Sequence, residues 1–377
     1  MRKLFLIVLI ATSSFVFAQP AAETSKEELN KDFTGIKMLP ATPVKNQAMT
    51  GTCWCFSTTS LVESQCMKNV KEEVDLSEMF TVRNIYIEKA KNYILRQGKA
   101  QFGEGGLGHD LIRAIGLYGA VPDSVYSGLK PGQKMHNHSA MVTQLEQYLN
   151  DVLKKRPLPD NWLDGYTKIL DDNIGAVPAD FKYKGKTYSP QSFAKDVLKF
   201  SADDYVSVTS FTHHPYYKPF VLEAPDNFAN GSFYNLPLET MIDVVKDAVN
   251  KGFTVMWDAD VSNNGFRQNK GLALYVGAVS KDDPFTTDTK EEPWDAAKRQ
   301  RLYENLTTED DHLMHIIGTE KSKDGKLFFI VKNSWGKVGP YDGYINVSES
   351  YFAINTVSLV VPKAALSAEL LTRLGIK

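Results

Sequence analysis

Two widely separated stretches of this chain carry residue types that together perform acyl transfer. In the first, Cys53 follows a Gly51-Thr52 turn and opens a run whose apolar positions Phe56, Leu61, Val62 and Cys66 read as one helix. A cysteine in the first turn of a helix sits among unpaired backbone N–H groups at the positive end of the dipole. That setting favours the thiolate, the form that attacks carbonyls. Six residues upstream, the Gln47 amide can point back at the attacked group. With the N–H of Cys53 it would form an oxyanion hole. A lone cysteine at a helix start is more often a buried core residue, so the reading needs partners.

The second stretch supplies them. Residues 311–318, Asp-His-Leu-Met-His-Ile-Ile-Gly, read as an apolar strand with His312 at its entrance. A charged turn at 320–326 leads to the apolar run 327–332 and then to Asn333-Ser334-Trp335-Gly336, a hairpin pattern. Antiparallel pairing would bring Asn333 near His312. An Asn carbonyl accepting one ring N–H fixes the tautomer and turns the other nitrogen toward a thiolate. Trp335 would cover that hydrogen bond. His315 is the rival base, but three residues along a strand is an odd step, which puts it on the opposite face. Cys53, Cys55, His312 and His315 also number four, as a zinc site requires. The two cysteines would diverge by roughly 200° at a helix start and the two histidines also diverge, so no metal is expected.

These segments resemble the papain-like cysteine peptidases. Q-x5-C-W matches the family's nucleophile segment, although alanine or leucine is more usual where Cys55 stands. Thr50 occupies the place of a disulfide cysteine in the plant and lysosomal members. A histidine-led strand followed by N-S-W-G and then Gly343-Tyr344 resembles the second signature. The resemblance implies Cys53, His312 and Asn333 as catalytic residues, Gln47 as the oxyanion residue and Trp335 as the shield. It also implies that Gly105-Gly106 lines the substrate cleft. Cys53 and His312 are 259 residues apart, against the ~130–150 of papain and the cathepsins. That surplus, the missing pro-domain and the missing disulfide cysteines resemble the bleomycin hydrolase and bacterial aminopeptidase C branch. There a C-terminal arm lies in the cleft, confines cleavage to chain ends and accompanies a hexamer. The implied fold is α+β: a two-lobed papain-like fold, a helical lobe plus an antiparallel β-barrel-like lobe, with a helical insertion. The implied function is a cysteine aminopeptidase acting on short peptides. A papain-like endopeptidase and a non-catalytic peptide-binding module are the alternatives.

The remainder of the chain must position these groups. With 43% hydrophobic and 11% aromatic residues in 377, it can bury a sizeable core. Residues 1–18 read as a signal peptide, with Arg2-Lys3, a short apolar run and Val16-Phe17-Ala18 before Gln19. Export to the periplasm or the cell exterior is therefore expected. Losing Arg2 and Lys3 takes the formal charge from −2 to −4, so neither nucleic acid nor an anionic membrane is an expected partner. Peptide substrates are expected, no cofactor is called for, and a homo-oligomer stays open. Three clustered cysteines make no disulfide framework, and Cys55 and Cys66 read as buried helix residues.

The chain then divides into 19–120 with the nucleophile, a helical insertion at 121–203, and a β-rich lobe with a tail at 204–377. Asp75-Leu-Ser-Glu78 reads as a helix-starting box. The glycine-rich stretch 102–110 lacks the strand and the Lys-Ser/Thr of a phosphate loop. His109 reads as a cap or surface residue rather than a second catalytic base, and His136 and His138 as solvent-exposed. His213-His214 finds no support as a metal pair, and Asp258 and Asp260, two apart on a strand, read as carboxylates at its exposed end rather than as the paired acids of a glycosidase. The tail, with Leu366, Leu370, Leu371 and Leu374 on one side of a helix, would either enter the cleft or pack on the surface.

Overall fold

The chain enters the fold through β1 (Phe33–Met38), which pairs antiparallel with a strand from the far end of the sequence. The structure, a computed structural model, describes residues 32–278, 280 and 284–376. The leader read at 1–18 lies outside them. Helices α1 (Cys53–Val70), α2 (Glu78–Leu95) and α3 (Gly108–Tyr118) follow. Ser77 caps α2, its Oγ accepting from the Phe80 N–H at 3.0 Å. The cap is therefore two residues beyond the Asp75 that opens the expected box; Asp75 instead pairs with Lys45 at 2.6 Å.

Residues 121–203 form α4 (Ser139–Leu153), α5 (Trp162–Ile174) and α6 (Pro190–Asp196). They share one core with α1–α3: Leu145, Leu149, Tyr166 and Leu170 meet Trp54, Val82 and Tyr86. The stretch 121–203 thus supplies about a third of the buried residues in the helical lobe's core. It also holds a hairpin, β2 (Phe181–Tyr183) and β3 (Lys186–Tyr188), absent from the helical reading. Lys184 and Gly185 turn it, both with positive φ (46° and 79°), the geometry of a tight hairpin.

The second lobe contains β4 (Tyr205–Thr209), β5 (Pro219–Val221), β6 (Ser232–Asn235), α7 (Leu238–Asn250) and β7 (Val255–Ala259). Then come β8 (Phe266–Arg267), β9 (Leu272–Ala273), α8 (Ala296–Glu304), β10 (His312–Ser322) and β11 (Leu327–Lys332). The chain finishes with β12 (Tyr344–Ser348), α9 (Glu349–Asn355), β13 (Thr356–Pro362) and α10 (Ala368–Leu374). One sheet runs β5-β6-β4-β13-β7-β10-β11-β12-β9-β8, with β1 added on β10. Its pairings are antiparallel except β4–β6 and β9–β12. Apolar residues alternate inward: Trp257, Met314, Phe329 and Val331 pack on Met241 and Val245 of α7.

The lobes meet along α1. The side chains of Met256 on β7, Leu313 on β10 and Val360 on β13 belong to the helical core. Lys332 Nζ crosses the seam to Thr42 Oγ1 at 3.0 Å and to Ser60 Oγ at 2.8 Å. Lys45 meets Glu78 at 2.9 Å. Buried charges persist only when paired in this way.

The tail packs on the β-rich lobe. Leu366, Leu370 and Leu374 are buried in its core beside α7, Leu371 is half-buried, and the Arg373 guanidinium lies 3.6 Å from the Tyr217 ring centroid.

Candidate active site

Cys53 is the first residue of α1, and the Thr52 carbonyl accepts from the N–H groups of Cys55 (2.9 Å) and Phe56 (3.2 Å) to close the first turn. Its sulfur lies against the backbone N–H of Leu313, the neighbour of His312. Cys53 is only 8% exposed. Burial pushes its thiol up to about 12, and the carboxylates of Asp310, Asp258 and Asp226 push it further the same way. The helix dipole, worth about 0.3–2 kcal/mol, does not reverse this. Burial therefore opposes the thiolate that position alone favours.

His312 opens β10 opposite Ala259 of β7. Its Nε2 and Asn333 Oδ1 are 2.7 Å apart, and the Trp335 ring stacks on the imidazole with centroids 4.6 Å apart and planes 28° off parallel. Burial lowers the His312 pKa to about 4, while the bond to Asn333 acts in the opposite sense. Burial thus disfavours the charged form of both Cys53 and His312. His315 is directed elsewhere, its Nδ1 to Ser60 Oγ at 2.9 Å. Cys55 Sγ donates to the Glu78 carbonyl at 3.2 Å. The four residues weighed as a zinc set therefore point to separate partners.

Gln47 is buried and tied at both ends of its amide. Oε1 accepts from Ser334 Oγ at 2.6 Å and Nε2 donates to the Thr50 carbonyl at 2.8 Å, leaving one amide hydrogen for an incoming oxyanion. Ser334 also gives its N–H to Asn333 Oδ1 at 2.7 Å. One residue thus links the amide donor to the histidine's partner. Gly106 lies under the Trp54 indole, where a Cβ would be 3.1 Å from ring atoms. Gly105 lies under Asp226. Lys89 Nζ donates to the carbonyls of Gly103, at 2.9 Å, and Gly105, which holds this loop in place.

The profile described as the Peptidase C1-like family matches residues 177–376, just over half of the chain, and that of the papain family cysteine protease matches residues 30–83. The chain belongs to the Peptidase C1-like family. It is 26% identical to aminopeptidase C of Streptococcus thermophilus, covering 92% of this chain and 86% of the relative. It is 24% identical to aminopeptidase G of Lactobacillus delbrueckii subsp. lactis (88% and 83% covered). It is 23% identical to the mitochondrial cysteine proteinase 1 of Saccharomyces cerevisiae (91% and 79%). The crystal structure of PepW from Lactobacillus rhamnosis superposes with a TM-score of 0.72 at 22% identity, over 90% of this chain and 84% of that one. The protein is a cysteine peptidase with the papain-like α+β fold.

Within this Peptidase C1-like site, several residues differ from their sequence-based reading. His138 is 2% exposed, not solvated; Tyr86 Oη and its Nδ1 are 3.1 Å apart, and burial drives its pKa to about 4. His109 is neither cap nor surface residue: Asp110 Oδ2 caps α3 by accepting from the Leu107 N–H, while the His109 ring packs edge-on to Phe233. Asp258 and Asp260 are buried, because β10 and β13 flank β7 on both sides. His213 and His214 converge on Glu223, each Nε2 within 3.3 Å of one of its oxygens. Gln268 was not singled out from sequence, yet its Oε1 accepts from Asn333 Nδ2 at 3.1 Å and fixes which way the Asn333 amide faces. No local motif marks Gln268; only the chain's return past Asn333 places it.

Gln47→Ala should lower kcat by ~10²–10³, or about 3–4 kcal/mol of barrier, with KM nearly unchanged. Steady-state kinetics on one peptide substrate checks this. A raised KM at constant kcat would make Gln47 a residue that only binds substrate.

Proposed function

We propose that this protein is an aminopeptidase acting on short peptides, with Cys53 as nucleophile and His312 as its base. The observation that carries the reading is the His312–Asn333 pair at 2.7 Å, covered by Trp335, on the residue adjoining the N–H on which the Cys53 sulfur rests. Asn333 occupies Nε2, so Nδ1 exchanges the proton. Nδ1 takes the Cys53 proton as the sulfur bonds to the carbonyl carbon. The carbonyl oxygen becomes an oxyanion between the Cys53 N–H and Gln47 Nε2. His312 then returns the proton to the leaving amine as the C–N bond breaks. Water, deprotonated by the same nitrogen, hydrolyses the thioester. The names of the bacterial relatives support the exopeptidase reading, and the leader-like residues 1–18 support export to the periplasm or cell exterior.

A peptide-binding module on this fold would not require Cys53, His312, Asn333 and Gln47 together. Cleavage of a peptide library with free and with acetylated N-termini tests the proposal. Release of N-terminal residues from the free set alone is expected. Equal cleavage of both sets would make the protein an endopeptidase, and no cleavage would favour the binding module.

The packing of the tail gives a second expectation. Deleting residues 367–377 removes the burial of Leu370 and Leu374 and should cost about 3–6 kcal/mol of stability. The ratio of free to acetylated substrate cleavage should stay as in the full chain. Thermal unfolding and paired assays check this; a rise in cleavage of acetylated peptides would return the tail to the cleft.

A further inference from the structure

The loop joining β5 to β6 reaches from one lobe to the other beside Cys53. At its base Tyr303 Oη donates to the Glu223 carbonyl at 2.7 Å. Asn227 ties the loop to itself: Nδ2 donates to the carbonyls of Leu222 (2.9 Å) and Gly231 (3.0 Å), and Oδ1 accepts from the Gly231 N–H at 2.7 Å. The far side rests on the helical lobe. The Phe228 ring centroid is 5.3 Å from the Lys89 ammonium, and a Cβ on Gly231 would lie 2.1 Å from His109 Nε2.

Asp226 stands between these supports. A Cβ on Gly105 would lie 1.8 Å from its Oδ2, so the carboxylate sits directly on the glycine wall of the cleft. Gln101 Nε2 donates to its Oδ1 at 3.3 Å. On the other wall, the Asp226 N–H donates to the carboxylate of Asp310.

Asp310 and Asp258 lie within hydrogen-bonding reach of each other. Ser358 Oγ donates to Asp258 Oδ2 at 2.9 Å. Asp258 Oδ1 and Asp310 Oδ2 are buried and receive no donor among the described residues, and Asp258 is fully buried. Two carboxyl groups this close share a proton unless a cation joins them. Burial raises both pKa values; the Asp310 charge adds to it at Asp258, and the Asp226 charge adds to it at Asp310, which rises to about 7 although its bond to Asp258 acts the other way. Lys89, the nearby cation, is committed to the carbonyls of Gly103 and Gly105. All three carboxylates are near enough to act on the Cys53 thiol.

We infer that Asp226, Asp258 and Asp310 form the seat for a primary ammonium of the substrate, its free N-terminus, and that the β5–β6 loop closes the cleft beyond it. The inference rests on the aminopeptidase reading and supplies its chain-end selectivity, since the tail is engaged with α7. An ammonium offers three donors to oxygens that lack them. On its entry the proton shared by Asp258 and Asp310 is released to solvent. A lysine side chain carries the same group, so the test must separate the two sources.

The test compares kcat/KM of the full chain and of Asp226→Asn and Asp310→Asn on three fluorogenic amides: alanyl, N-acetylalanyl and N-acetyllysyl. In both variants the alanyl value should fall at least about 10-fold, chiefly through KM, as expected when one partner of a desolvated charge pair is neutralised. The two acetylated substrates should change less than about 3-fold. An unchanged ratio of alanyl to N-acetylalanyl cleavage overturns the seat, as does a fall confined to the N-acetyllysyl substrate, which would put a side-chain ammonium there. If the unmodified protein already cleaves alanyl and N-acetylalanyl amides equally, the aminopeptidase reading itself fails. If it discriminates and the variants discriminate as well, only the seat fails. Thermal unfolding and alkylation of Cys53 by iodoacetamide establish that each variant is folded. Should Asp310→Asn not fold, Asp226→Asn, on the half-buried loop, decides alone.

Discussion

Cys53→Ala is expected to eliminate turnover, a loss on the order of 10⁴-fold or more, in a protein that unfolds at the same temperature as the unmodified chain. The acyl-enzyme cannot form without the sulfur, so what remains is only the rate enhancement that binding and oxyanion donors give to attack by water. The fold should tolerate the change because alanine is the strongest helix former and a small apolar side chain suits the buried first turn of α1. Cys55→Ala should do the reverse. It removes a buried sulfur that donates to the Glu78 carbonyl, costing about 1–2 kcal/mol of stability, and keeps most of the activity. Kinetics and thermal melts on both variants check the pair. Inactive Cys55→Ala beside active Cys53→Ala would reverse the nucleophile assignment.

His312→Ala should lower kcat/KM by ~10²–10⁴, the range for a positioned acid–base group, and Asn333→Ala by less, about 10–10². The first removes the proton carrier. The second leaves it in place under Trp335 but frees its orientation. The two variants also differ in pH dependence. The working state holds one proton between Cys53 and His312. Acid destroys it by protonating the imidazole, whose pKa is lowered to about 4, and alkali by ionising the thiol, raised to about 12. The profile of kcat/KM should therefore be a broad bell, with its acid limb below pH ~6.5 and its alkaline limb above pH ~9. The hydrogen bond from Asn333 raises the His312 pKa. Its loss in Asn333→Ala should move the acid limb to lower pH, whereas a merely destabilised protein would keep the limb in place. An acid limb at the usual histidine value in both proteins would show that burial does not govern this imidazole.

The local reading worked where one element's own periodicity or chemistry carries the information. The Tyr-Val-Ser-Val-Thr run at 205–209 has strand composition and forms β4; Leu238, Met241, Val244, Val245 and Ala248 mark one face of a helix over 237–250, and α7 runs over Leu238–Asn250. The hairpin that brings Asn333 to His312 follows from two apolar runs around a charged turn, although β10 continues to Ser322 and shortens that turn. The reading failed where burial depends on strands distant in sequence. Asp258 looks like an exposed acid until β10 and β13 are known to enclose β7. His138 looks like loop histidine until Tyr86 of α2 closes over it.

By itself the sequence determined the residue types of the site, their order along the chain and the local elements that carry them. A helix start, a strand entrance and a hairpin end are short-range features set by side-chain spacing and turn chemistry. Only the tertiary structure decided the electrostatics and the boundary of the cleft. Whether Cys53 rests as thiol or thiolate depends on how much water and which charges surround it, and those come from β7, β10 and the β5–β6 loop. The tail's place on α7 and the approach of Asp226 to Gly105 join residues far apart in sequence, and no pattern within a single element encodes them. Desolvation and charge–charge distance belong to the packed chain, and so they appear only once it is folded.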